Sequence, residues 1–197
     1  MQRKCKFAPV REYENVEIVA KPILKMGNPK LRGLAKEVKI PVPDEIRDLV
    51  EVMKLSMDAA GGVGLAAPQI GVDQRVVIFE VPSARIAEED GLEDAGVPQT
   101  VLINPVITPL TKDMAIGWEG CLSVPGLRGL VPRYTRINYR GYSLDGELID
   151  RDVEGFHARV VQHEVDHLDG ILYPERMTDM TQLVYQSEML EYMESLA

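Results

Sequence analysis

Val160-Val161-Gln162-His163-Glu164-Val165-Asp166-His167-Leu168-Asp169-Gly170 is the stretch from which the rest of the chain can be read. As a helix it sets His163 and His167 one turn apart on a single face, so both imidazoles reach one ion. Glu164, beside the first histidine, is then placed as the base for a water activated by that ion. Val160, Val161, Val165 and Leu168 lie among these polar groups, the pattern of a helix buried on most sides. Gly170 supplies a C-terminal stop. The chain has 3 histidines in all, and two fall in this motif, which makes a chance grouping of core histidines the weaker reading.

The 197 residues suffice for one domain with a sizeable core, expected over 20–197 behind an N-terminal extension, 1–19. A hydrophobic share of 45% and a charged share of 27% are those of an ordinary globular protein. The net charge of −9 argues against a general nucleic-acid binder or a protein held on an acidic membrane, both of which need a basic face. No apolar run is long enough to span a bilayer, and residues 1–10 have no apolar signal core. With only Cys5 and Cys121, a disulfide framework is not expected and the cytosol is the default compartment.

Outward from the motif, Ile23 to Leu31 reads as a short apolar piece followed by a Gly27-Asn28-Pro29 turn. A helix begins at Pro43-Asp44, with Ile46, Leu49, Val50, Met53 and Met57 tracing one apolar stripe. Val76-Val77-Ile78-Phe79 is a short buried strand, and 82–99 is a solvated acidic loop. Val101-Leu102-Ile103 and Val106-Ile107 are strand pieces broken by Asn104-Pro105. From Arg136 to Val153 the pattern alternates around a turn at Leu144-Asp145-Gly146-Glu147, which predicts a hairpin. The H-E-x-x-H helix runs from about Gly155 to Asp169, and a last helix from about Met180 to Leu196. Strands and helices do not alternate as β-α-β, so the expected class is α+β rather than a parallel sheet.

A catalytic site of this kind takes three protein ligands and keeps one position open. Tyr173 stands where a longer H-E-x-x-H-x-x-G-x-x-H pattern would need histidine, which excludes that peptidase class. His157, six residues before His163, is turned well away from the ligand face. Glu188 or Glu191 on the last helix is a second source, Glu188 making a zinc endopeptidase, although both read more simply as a solvated face. Cys121, in Trp118-Glu119-Gly120-Cys121-Leu122-Ser123, is the remaining source. Alone it reads as a buried apolar filler; beside two histidines short of a ligand it becomes the stronger candidate.

Three stretches together carry a family likeness. Gly62-Val63-Gly64-Leu65-Ala66-Ala67-Pro68-Gln69, Glu119-Gly120-Cys121-Leu122-Ser123 and Gln162-His163-Glu164-Val165-Asp166-His167 resemble, in order, the signature motifs of peptide deformylases. The resemblance extends from about Ile23 through the last helix. It implies an α+β fold with the H-E-x-x-H helix packed among antiparallel sheets. It also implies removal of the formyl group from N-formylmethionine on new polypeptides, in the cytosol of a bacterium or in an organelle.

The resemblance further implies Cys121, His163 and His167 as ligands of Fe(II), with Zn(II), Ni(II) or Co(II) as substitutes. Glu164 becomes general base and acid, while Gln69 and the Leu122 backbone N–H become the oxyanion donors. An extended peptide is expected to pair with backbone near Val63-Gly64 and Gly126 to Gly129, at Arg128, with its methionine in an apolar pocket of Val63, Phe156 and Val160. An Asp166–Arg133 pair behind the site is a weaker implication. The ribosome is implied as a transient partner, but with no Lys or Arg after Arg176 the acidic final segment offers it no basic tail. No membrane or nucleic-acid partner is expected.

Overall fold

The computed structural model describes residues 18–84 and 96–195. Most of the expected N-terminal extension, the centre of the acidic loop and the last two residues lie outside them. Helix α1, Asp44–Ala60, starts after Pro43 with Asp44 and Glu45 in its first turn, where carboxylates favour the helix dipole. Helix α2, Gly155–Leu168, carries the H-E-x-x-H motif. Gly155 has a φ of 59°, the left-handed turn that lets the preceding strand pass directly into the helix.

The strands are β1 (Gly64–Ala66), β2 (Val76–Val81), β3 (Val97–Pro109), β4 (Met114–Cys121), β5 (Val124–Tyr134), β6 (Arg136–Tyr142), β7 (Leu148–Glu154) and β8 (Val184–Tyr185). They form a five-stranded sheet in the order β1-β2-β3-β6-β7 and a three-stranded sheet in the order β4-β5-β8. Every neighbouring pair is antiparallel. The class is α+β, as expected.

The larger sheet lies between the two helices. Val77, Phe79 and Val81 face α2 with Val160, Val161, Val165 and Leu168. Val76 and Ile78 face the other way, against Val50, Met53 and Met57 of α1. A strand covered on both faces needs no polar alternation, which is why Val76-Val77-Ile78-Phe79 is continuously apolar. A smaller cluster of Val124, Val131, Leu172 and Tyr173 ties the second sheet to the segment after α2. The β6–β7 hairpin turns at the expected place, with Gly146 at a φ of 78°. Among the described residues no helix is long and apolar enough to cross a membrane.

Two expectations need correction. Asn104-Pro105 does not break the strand: β3 runs through it, and the pairing with β6 shifts between Ile103 and Val106. Pro105 cannot donate to a ladder, and a bulge is where that costs least. Asn104 sits at a φ of 50° and clasps Val38, accepting from its N–H at 2.9 Å and donating to its carbonyl at 2.8 Å. The long final helix is also absent. Residues 180–182 form a 3-10 turn, β8 pairs with β5, and the final helix α3 covers only Met189–Ser195. Leu183 packs on the Val124–Tyr173 cluster, and Val184-Tyr185, both strand formers, take up the open edge of β5.

Asn104→Ala would lose both bonds to Val38 and hold alanine in the left-handed region, so urea denaturation should show a loss of about 2–3 kcal/mol. A loss below about 0.5 kcal/mol, the ordinary range of a surface substitution, would contradict this reading of the bulge.

Candidate metal centre

The α2 face presents His163 and His167, with ring centroids 5.2 Å apart. Opposite them, β4 ends at Cys121, just before the tight turn into β5. The Cys121 Sγ lies 3.2 Å from His167 Nε2, and one donor atom from each of the three residues falls within 4.8 Å of the others. A tetrahedral ion, with metal–nitrogen distances of about 2.0–2.1 Å and metal–sulfur of about 2.3 Å, needs donors at this order of separation. Tyr173 stacks on the His163 ring at 6.2 Å, so the residue that replaces the longer motif's histidine packs against a ligand candidate.

A carboxylate orients the first imidazole. His163 Nδ1 and Glu119 Oε2 are 2.8 Å apart, which leaves Nε2 for an ion. Arg133 grips the same carboxylate with Nε at 2.9 Å and Nη2 at 3.0 Å, and Arg159 adds a contact at 2.9 Å. Burial pushes the Glu119 carboxyl up, but hydrogen bonds from His163 and Arg133 outweigh it and hold the group well below the usual carboxylate range. Arg133 also donates to Asp166 at 2.6 Å, which pairs with Arg176 at 2.7 Å. Burial likewise pushes the Cys121 thiol up, and the neighbouring imidazoles overcome it, so the sulfur favours the thiolate that a metal requires.

Glu164 lies against β1. A Cβ at Gly64 would fall on its carboxylate, so glycine permits the approach. Burial pushes the Glu164 carboxyl up to about 7, against the pull of His163 and His167. Its Oε2 is buried with no hydrogen-bond partner among the described residues. An acceptor left open at the site suits a group that takes a proton from a bound molecule.

Gln69 divides its amide. Oε1 accepts from the Ala66 N–H at 2.8 Å, closing its own 3-10 turn. Nε2 donates to Ser123 Oγ at 3.2 Å and lies 3.7 Å from the Cys121 sulfur. One end of the side chain thus serves its own turn, and the other faces Ser123 and Cys121.

A cleft of about 710 Å³ opens over these groups, a size that accommodates several residues of a peptide. Val63, Gly64, Gln69, Cys121, Leu122, Arg128, Phe156, Val160, His163 and Glu164 all line it, so nearly every residue singled out from the sequence meets there. Phe156 and Val160 also belong to the core against the sheet, so each has both roles. His167 stands behind, nearly fully buried. Glu188 and Glu191 are exposed and outside the Cys/His/His group. His157 packs with Phe79 and Tyr139, away from the cleft.

The sequence reading missed the part played by Glu119, Arg159 and Arg176. For Glu119 the signal was present: a carboxylate two places before a cysteine on a strand shares its face. For the arginines it was not, because their partners lie on other elements.

The chain is similar to proteins of one known family. The family model described as Polypeptide deformylase matches residues 20–183. Peptide deformylase 2 of Ralstonia nicotianae is 59% identical over 162 residues, covering 82% of this chain and 89% of the relative. Peptide deformylase 1 of Bordetella pertussis is 56% identical over 164 residues, covering 83% and 90%. The class I type b peptide deformylase of Acinetobacter baumannii, in its crystal structure with Met-Ala-Ser bound, superposes with a TM-score of 0.73 at 36% identity, covering 81% of this chain and 99% of that one. With the family model matched over most of its length, the chain belongs to the polypeptide deformylase family.

Proposed function

We propose that this chain, through residues 20–197, hydrolyses the N-formyl group from N-formylmethionyl peptides in the bacterial cytosol and releases formate. The observation that carries the reading is the convergence of one thiolate and two imidazoles beside a buried carboxylate with an open acceptor. The Acinetobacter baumannii relative binds Met-Ala-Ser, a peptide of the kind this reaction leaves.

Cys121, His163 and His167 would hold the ion; their mixed sulfur and nitrogen set suits Fe(II) or Zn(II) alike, and the family resemblance puts Fe(II) first, with Zn(II), Ni(II) or Co(II) as substitutes. When bound, the ion supplies Lewis-acid polarisation of the formyl oxygen and lowers the pKa of water. Glu164 takes the proton from the attacking water and returns it to the departing amine. The Gln69 Nε2 and the Leu122 backbone N–H stabilise the developing oxyanion; one such donor is worth about 2.7–4 kcal/mol, or roughly 10²–10³ in rate.

The peptide adds as an extended strand along Val63-Gly64, with Arg128 across the cleft, and the methionine side chain enters between Val63, Phe156 and Val160. A hydrogen in place of a methyl on the acyl carbon is worth only about 1–3 kcal/mol in a yielding pocket. Formyl selectivity therefore requires stiff walls. Helix α2 and Gly64, each packed against the other's element, supply them.

Formate release from formyl-Met peptides by the anaerobically iron-loaded protein tests the assignment. Glu164→Ala should bind the ion at wild-type stoichiometry and lose about 10²-fold to 10⁴-fold in kcat. Equal rates would remove Glu164 from the chemistry, and no formate from the wild type would end the deformylase reading. Glu119→Gln, in protein that still melts cooperatively, should weaken metal binding by about 10–100-fold in a chelator competition. Unchanged affinity would mean that the carboxylate does not orient His163.

A further inference from the structure

The segment Ile23–Met26 runs across both loops that carry the chemistry. The Leu24 N–H donates to the Gln69 carbonyl at 2.8 Å, and the Met26 N–H to the Ser123 carbonyl at 2.7 Å. Between them the exposed Lys25 lines the cleft, and its Nζ donates to the Leu122 carbonyl at 3.0 Å. That carbonyl and the Ser123 N–H belong to one peptide group, and the Ser123 N–H donates to the Cys121 sulfur at 3.4 Å. Ammonium, amide and sulfur thus stand in series.

A cation on a carbonyl draws electron density out of the amide and makes its N–H a stronger donor. A stronger N–H donor withdraws charge from the sulfur it meets and so changes how that sulfur serves as a ligand. The two main-chain bonds on either side of Lys25 fix the segment to Gln69 and Ser123, so the lysine is delivered to this carbonyl by the fold.

We propose that Lys25 is a positioning residue for the reaction, setting the Cys121 sulfur and the Leu122 turn through the Leu122–Ser123 peptide. The inference rests on the assignment of Cys121 as a metal ligand. It gives a residue from the start of the domain, outside all three motif stretches, a role in tuning the centre.

The test compares wild type, Lys25→Met and Lys25→Arg as Co(II)-substituted proteins. Wild type should show a thiolate-to-cobalt charge-transfer band. In Lys25→Met, where the sulfur keeps more charge, the band should move to longer wavelength, and Lys25→Arg should return it toward wild type. The turnover of Lys25→Met should fall by about threefold to tenfold, the rate equivalent of one net hydrogen bond, with KM changed by less than about twofold. A band unmoved in Lys25→Met, or a rise in KM with kcat unchanged, would overturn the role given to Lys25. A wild-type spectrum with no thiolate band would overturn the ligand assignment, and this inference with it.

Discussion

The Glu119 carboxylate is the joint on which the centre depends. It accepts from Arg133 and Arg159 and meets His163 at 2.8 Å, so it binds the β4–β5 hairpin to α2 across the floor of the cleft. Arg133 with Asp166, Gln162 with the Tyr134 backbone and Arg159 with the Ala115 and Val131 carbonyls also join hairpin to helix, but the Glu119 carboxylate adds a bond to a ligand candidate, His163. With it, the sulfur and both imidazoles are brought to one point by elements far apart in sequence. Two carboxylates, Glu119 and Asp166, are shared among Arg133, Arg159 and Arg176. Such a buried network contributes little net stability, because desolvation offsets the attraction, but breaking one member leaves uncompensated charge. Its use here is geometric: it allows one relative placement of hairpin and helix.

The remainder of the fold serves that placement. Helix α2 rests on the larger sheet through Val160, Val161, Val165 and Leu168, and the same sheet places β1 so that Gly64 meets Glu164. Glu164 therefore sits in a low-dielectric wall, where burial raises its carboxyl, while the face that carries His163 and His167 looks to the other sheet. The cleft draws residues from both sheets and from α2, which packs on each of them.

Much of this was legible in the chain. The fourfold spacing of His163 and His167 gave a helix with one ligand face, and the unbroken apolar run at Val76 to Phe79 gave a short buried strand, whose cover on both faces the packing then showed. The hairpin around Gly146 followed from its turn residues. What the sequence hid were interactions whose partners lie elsewhere. Asn104-Pro105 reads as a break, and becomes a bulge because the Asn104 side chain finds Val38. Residues 183–185 read as helix, and become a packed leucine and an edge strand because β5 offers unpaired backbone. Arg159 carries no local sign of purpose, and its meaning appears only when Glu119, the Val131 carbonyl and the Ala115 carbonyl surround it.

In the proposed centre the Cys121 sulfur shares one ion with two imidazole Nε2 atoms. X-ray absorption at the zinc edge of the zinc-loaded protein measures that directly. One sulfur scatterer at about 2.3 Å with two imidazole nitrogens at about 2.0–2.1 Å is the predicted first shell. A shell of nitrogen and oxygen alone would contradict it.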